Sequence, residues 1–329
     1  MLSRWADAYA RQTRQDVARV RRWISFMALG GALEAVGFAG EGPRFSIKGG
    51  VALEMRRGGR ARATRDLDLV LNSADDDLVE ALDRLLQQGC EGFTFRRRGE
   101  VRTMGDRAVR AEIAVQYGGG TWGRIQVDLA RMEGRGGMEV EMVEGLDLSY
   151  FRFDFPERVS CLSLYAQAAQ KIHAVSRPPR PGWQNERFKD LVDLLLIEEL
   201  IQDREALRSA CEEVFATRGT HAWPPFIEAP ASWADPFRRM ASEVGLPVAD
   251  VHQAAFRIRR LLNDVEPSAR LFKQAPVQGS VSATNWYYAL DLEDRWHRVP
   301  AAMAEAIIAG RDVSRHTIKP SWYIGLLAG

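Results

Sequence analysis

Phe45-Ser-Ile-Lys-Gly-Gly-Val-Ala-Leu-Glu-Met55 opens the stretch that decides how this chain folds, and Thr64-Arg-Asp-Leu-Asp-Leu-Val-Leu71 closes it. The order reads strand, glycine turn, helix, strand. Phe45 and Ile47 make a short apolar lead into the turn. Gly49 and Gly50 carry no Cβ, so the backbone there can take positive φ and let a ligand approach closely. The helix behind them aims its first N–H groups, and the positive end of its dipole, at the same spot, which suits a phosphate. Leu67, Leu69 and Leu71 alternate with Asp66, Asp68 and Val70, the period of a strand. Residues i and i+2 of a strand face the same way, so Asp66 and Asp68 emerge side by side next to the turn. Adjacent carboxylates repel, and a hard divalent cation (Mg²⁺ or Mn²⁺) neutralises them. A phosphate cradle beside a cation clamp is the equipment of phosphoryl or nucleotidyl transfer. Each part alone is commonplace, a turn or a solvated strand end. Their order and spacing carry the signal.

Between the two halves, Arg56 to Arg65 holds five arginines in ten positions. Such a run is either a solvated loop or an electrostatic funnel for a triphosphate or an RNA backbone, and its place just before the acid pair puts the funnel on a par with the loop.

These residues resemble the nucleotidyltransferase signature of the DNA-polymerase-β-like superfamily, a Gly-Gly or Gly-Ser turn followed by Asp-x-Asp. More narrowly, Lys48-Gly-Gly-Val-Ala-Leu53 with Arg62-Ala-Thr-Arg-Asp-Leu-Asp68 is similar to the AbiEii/AbiGii toxin family, with which the mycobacterial MenT nucleotidyltransferases belong. The resemblance implies that Lys48, Gly49, Gly50, Thr64 and Arg65 bind the nucleotide. It also implies a third carboxylate on a neighbouring strand. Asp128, in Ile125-Gln-Val-Asp-Leu129, is the natural match, and would join Asp66 and Asp68 at the metal and accept the attacking hydroxyl's proton. On the residues alone Asp128 is an ordinary exposed strand position. The family also carries a late lysine on one helix and a Lys-Asp-Leu-x-Asp-Leu pattern on the next, matched by Lys171 and by Lys189-Asp-Leu-Val-Asp-Leu194. The resemblance implies that Lys171 neutralises triphosphate and that Asp190 completes the active site, with Asp193 structural. One departure stands out: Val51 replaces the small hydroxyl residue that family members place after the glycine pair.

The rest of the chain sets bounds. At 329 residues it is long for one domain. Its 46% hydrophobic and 27% charged residues are those of an ordinary soluble protein. No apolar run reaches the length of a membrane span, and Met1-Leu-Ser-Arg-Trp-Ala-Asp7 lacks a signal peptide's apolar core, so a cytoplasmic location is expected. Cys90, Cys161 and Cys211 are too scattered for a disulfide framework or zinc site and read as reduced packing residues. Net charge is +1, which argues against wholesale coating of duplex and leaves room for local basic patches. Of the 45 basic residues only Lys48, Lys171, Lys189, Lys273 and Lys319 are lysines, so a retained lysine draws notice. There is neither a Walker loop nor a Rossmann fingerprint.

Periodicity predicts a helix over 1–37, another over 75–88, then strands at 93–98, 109–117 and 124–130, with Gly118-Gly-Gly120 joining the last two as a hairpin. From 157 onward helices are expected, at 157–175, 185–201, 203–217, 234–245, 249–264 and 300–310. Asn185 is a candidate cap, and the short Arg177–Gly182 linker makes the first two neighbours, which brings Lys171 near Asp190. Trp223-Pro-Pro225 and Trp286-Tyr-Tyr288 read as loops with aromatic anchors. The five histidines show no ligand spacing.

The fold class expected is α+β: a polymerase-β-like catalytic domain over 1–155, its mixed sheet flanked by helices, then a mostly helical domain over 156–329. The function expected is a Mg²⁺-dependent nucleotidyltransferase toxin that moves NMP from an NTP to RNA, with the 3′ end of tRNA as acceptor, paired with an antitoxin. Transfer to a small molecule or protein hydroxyl, and a degenerate nucleotide- or partner-binding module, are the competing readings.

Overall fold

The computed structural model describes residues 1–40, 42–58, 60–73, 76–133, 139–180, 182–225, 227–265, 286–290, 296–300 and 327–328. The chain divides into two compact units, Met1–Gln170 and Lys171–Gly329.

Unit one begins with helices α1 (Leu2–Thr13) and α2 (Val17–Val36). The sequence reads as one helix here. The break comes at Arg14, which is left-handed at φ 55°, and at Asp16, whose side chain caps α2 by accepting from the Arg19 N–H. A two-residue hairpin, β1 (Phe38–Ala39) and β2 (Gly42–Pro43), leads into β3 (Phe45–Lys48), α3 (Gly49–Arg56) and β4 (Asp66–Leu71). Next come α4 (Leu78–Leu86), β5 (Phe93–Thr103), β6 (Ala108–Tyr117), β7 (Gly120–Arg131) and β8 (Val140–Glu144). Strand β9 (Arg158–Leu162) and helix α5 (Leu164–Val175) follow. The sequence reading took 157–175 as a single helix. Its first part is instead a strand, because Val159 and Cys161 are buried between β3 and β8.

The sheet runs β5-β6-β7-β4-β3-β9-β8. Strands β4 and β7 are parallel, as are β3 and β9, and the other neighbours are antiparallel, so the sheet is mixed. One face is apolar: Leu67, Leu69, Ile113, Val127 and Leu129 are all fully buried and pack with α2 and α4. Each such leucine contributes about 1.5–3 kcal/mol by leaving water. The opposite face carries the polar alternates, Asp66, Asp68, Asp128, Arg110 and Gln126.

Glu54 ties α3 to its surroundings. Its carboxylate is buried and accepts from Trp23 Nε1 at 2.7 Å and an Arg19 guanidinium N–H at 2.9 Å, both on α2. Arg19 also donates to the Ala61 carbonyl, fixing the loop that returns to β4.

Unit two carries α6 (Phe188–Glu198), α7 (Arg204–Arg218), α8 (Ala234–Glu243) and α9 (Val251–Val265). Asn185 is not the cap of α6. Its side-chain amide donates to the carbonyls of Ala174, Val175 and Arg177, so it stitches the end of α5 to the following turn. Thr220 bridges His173 and His221, and burial pushes the His221 pKa down to about 4. Trp286–Leu290 is strand β10, not a loop. It pairs antiparallel with β11 (Trp296–Pro300) and β12 (Leu327–Ala328), as its aromatic run favours. The helix expected over 300–310 falls outside the described residues after Pro300. Among the described residues no helix is long and apolar enough to cross a membrane.

Burial raises the Glu54 pKa above its ordinary 4.5, against the pull of Arg19, Trp23 and the Thr64 backbone. The folded state therefore holds this proton to higher pH than the unfolded chain. The contribution is full below about 4.5 and is lost as pH rises through the folded value. Wild type and Glu54→Gln, compared by denaturant unfolding at several pH values, should differ by an amount that moves against wild type as pH rises above 4.5. A difference flat in pH would contradict this.

Candidate active site

The backbone positions the site before any side chain does. Residue pairs across the sheet put Lys48 opposite Asp68, Asp68 opposite Asp128, and Asp128 opposite Arg110. Paired residues share a face, so these four make one row across β3, β4, β7 and β6. Asp66 sits two residues before Asp68 on that face and is paired with Gln126. The sequence-predicted acids are thus brought onto one surface, partly exposed, with a cation at each end of the row.

Gly49 closes the site on the β3 side. Its φ is +67°, and a Cβ built on it would collide with the Asp68 carboxylate. A side chain there is excluded twice, by conformation and by space. Gly50 is helical, and its missing Cβ makes room for Thr64, whose Cβ and Oγ1 would both lie 2.8 Å from it. The arginine-rich return loop therefore packs directly on the glycine turn, with Arg65 exposed beside Asp66. Val51 is fully buried in the core, so its side chain faces apolar neighbours. Any phosphate contact at this turn falls to the backbone N–H groups at the start of α3.

Arg110 changes the expected electrostatics. Its Nε donates to Asp128 Oδ1 at 2.8 Å and its terminal nitrogen to Oδ2 at 2.6 Å, a bidentate pair. These bonds, with the field of Asp66 and Asp68, push the Arg110 pKa up against the cost of its burial. Both Asp128 oxygens are engaged. Among the described residues no group of three His, Cys, Asp or Glu side chains is arranged to hold a metal. The three carboxylates read from the sequence lie on one face, Asp68 opposite Asp128 and Asp66 two residues before Asp68 on β4. Asp66 and Asp68 remain a sound oxygen-donor pair, beside a turn whose missing Cβ lets the Asp68 carboxylate lie against the backbone. Mg²⁺ is ordinarily held by one or two carboxylates together with substrate phosphates and waters, which these residues fit.

A second cluster lies within unit two. Lys171 Nζ donates to Asp190 Oδ1 at 2.8 Å and to Asp193 Oδ2 at 2.7 Å, and Arg187 Nε donates to Asp190 Oδ2 at 2.6 Å. Asp193 is fully buried, and Lys171 and Asp190 nearly so. The expected approach of Lys171 to Asp190 is present. Asp193, expected to be structural, shares the lysine with Asp190.

A family model described as nucleotidyl transferase AbiEii toxin, type IV toxin–antitoxin system, matches residues 31–268. The chain belongs to that family. Among solved structures, this AbiEii-family chain is similar to MenT4, a nucleotidyltransferase toxin from Mycobacterium tuberculosis H37Rv, at 19% identity and a TM-score of 0.44, over 77% of this chain and 93% of that one. It is also similar to the ANT(2″)-Ia structure in complex with adenylyl-2″-tobramycin, at 16% identity and a TM-score of 0.36, over 61% and 99% of the two chains. No curated protein matches.

Sequence reasoning missed Arg110. The alternation Val109-Arg-Ala-Glu-Ile113 marks it as a polar-face residue, but only the β6–β7 register sets it against Asp128. It also missed Glu54, which looks like any helix surface glutamate in sequence.

Two outcomes are expected. Gly49→Ala should abolish activity while costing about 1–3 kcal/mol of stability from the left-handed backbone alone, measured by urea unfolding and by nucleotide-dependent labelling; a fully active variant would contradict the crowding at Asp68. Lys171→Met should destabilise the protein by about 3–5 kcal/mol, because it removes one member of the buried Lys171–Asp193 pair. A thermal midpoint equal to that of wild type would remove that role.

Proposed function

We propose that this AbiEii-family chain is a metal-dependent nucleotidyltransferase that joins NMP from an NTP to an RNA hydroxyl, with the 3′ end of tRNA as acceptor. The observation that supports it most is the row Lys48–Asp68–Asp128–Arg110, with Asp66 beside it and the Gly49 turn at one end. A crowded anionic surface flanked by fixed cations is costly unless a charged ligand uses it.

On this reading Gly49, Gly50 and the start of α3 receive the triphosphate, with Lys48, Thr64 and Arg65 lining its approach. Asp66 and Asp68 would hold the Mg²⁺ or Mn²⁺, which supplies Lewis-acid polarisation of the phosphate and a lowered acceptor-hydroxyl pKa. The acceptor oxygen bonds to the α-phosphorus, the α–β bridging bond breaks, and pyrophosphate leaves towards the glycine turn. Asp128 takes the hydroxyl proton. Both of its oxygens accept from Arg110, so Arg110 must give up one of them during turnover. The roles of Lys171 and Asp190 in this reading are those the family resemblance implies, and the two are joined by a 2.8 Å bond. A cognate antitoxin is the expected partner, as the family's description implies.

The test incubates the protein with labelled NTPs, Mg²⁺ and total tRNA. Wild type should label RNA, and Asp66→Ala and Asp68→Ala should each lose at least about a hundredfold, on the scale of lost charge stabilisation at a transition state. Equal labelling by wild type and both variants would refute the acids' role. Labelling of a small molecule or a protein in place of RNA would move the acceptor to that class.

A further inference from the structure

Two rows of paired residues leave the acids in the direction away from Gly49. The first runs from Asp66 on β4 through Gln126 on β7 and Glu112 on β6 to Arg98 on β5. The second runs from Asp68 through Asp128 and Arg110 to Arg102. Both end on β5, the outermost strand on that side of the sheet. The ladder register shifts between Arg98 and Arg102, so the strand is irregular where these arginines emerge. A cavity of about 660 Å³ lies over this surface, lined by Arg98, Glu100, Arg102, Arg110, Glu112 and Gln126 among others. Arg124 on β7 adds another cation, 3.6 Å from Glu112, which Arg98 also approaches at 3.7 Å.

Position and charge together narrow the occupant. In an in-line displacement the attacking group enters opposite the leaving group. If pyrophosphate departs at the glycine turn beyond β4, the attacking hydroxyl arrives from the β7–β6 side. The arginines at the end of each row lie three strand spacings from the acid pair, roughly 14 Å at about 4.8 Å each. That reach exceeds one terminal sugar and suits a chain bearing phosphates. Planar guanidinium groups on an open cavity bind phosphodiester oxygens and stack on bases.

We propose that the cavity over β5, β6 and β7 is the acceptor-strand subsite, in which Arg98 and Arg102 hold the phosphodiester backbone of a single-stranded RNA end. The proposal deepens the transferase reading and rests on it for the direction of attack. A phosphate in this cavity also offers Arg110 a second anion, which would help free Asp128.

The experiment uses the full chain, Arg98→Ala/Arg102→Ala and Arg98→Lys/Arg102→Lys. Binding of a short, fluorescent, single-stranded oligoribonucleotide is followed by anisotropy over a salt series, and labelling of total tRNA is followed by kinetics. The alanine variant should bind RNA at least about tenfold more weakly, with its log–log salt slope reduced by about 1.4, the share of two phosphate contacts on a single strand. Its KM for tRNA should rise with the KM for NTP unchanged, and the lysine variant should recover most of the binding. Unchanged RNA affinity and salt slope in a folded alanine variant would overturn the proposal, as would a rise in the NTP KM alone, which would make the cavity a nucleotide site. The two readings fail separately. RNA binding lost in the alanine variant, with no labelling by wild type, would leave this subsite standing and remove the transfer reaction. Labelling by wild type and alanine variant alike would do the reverse.

Discussion

Like-charge crowding on β4 and β7 is the constraint around which unit one is arranged. Asp68 and Asp128 are cross-strand neighbours, and Asp66 stands one pleat away on the same face. Carboxylates that close raise each other's free energy. The backbone holds them there because the other face of the same strands is committed: Leu67, Leu69, Val127 and Leu129 are fully buried. A one-residue slip would turn those leucines to the polar side and the acids into the core. Hydrophobic burial on one side of the sheet thus fixes the electrostatic stress on the other. Lys48 and Arg110, at the two ends of the row, offset part of it.

The glycine turn belongs to the same constraint. Gly49 lies so close to the Asp68 carboxylate that no side chain fits between them, and Gly50 admits Thr64. Glu54, two turns into the helix at most, is anchored by Trp23 and Arg19, and Arg19 also holds the Ala61 carbonyl. The turn, its helix and the returning loop therefore form one linked piece. Unit two uses a different device. Lys171 is shared between Asp190 and the fully buried Asp193, and Arg187 on Asp190 supplies the second positive charge, so the two carboxylates are matched within the unit.

Much of this was legible in the sequence, and the boundary of legibility has physical causes. The period-two run from Asp66 to Leu71 gave the strand, its two faces and the acid pair, because alternation is local. The Gly49–Gly50 turn was readable for the same reason. Strand Arg158–Leu162 was not, since its apolar run is short and followed at once by helical periodicity. Arg110 could not be placed, because a partner across two strands depends on register, which one strand's pattern does not contain. Asp128 was reached only through the family resemblance, and its double bond to Arg110 was beyond that resemblance too. The break between α1 and α2 was marked by Asp16 as a cap, a signal hidden among arginines.

The central claim is that Asp66 and Asp68, beside Gly49, hold a divalent cation on which an NTP's phosphates converge. Its most direct test is a crystal structure with Mn²⁺ and an NTP analogue that resists α–β cleavage, read through the manganese anomalous signal. The account places that peak in contact with oxygens of both aspartates, with the triphosphate running to the start of α3. A peak away from both carboxylates, or an analogue seated elsewhere, would contradict it.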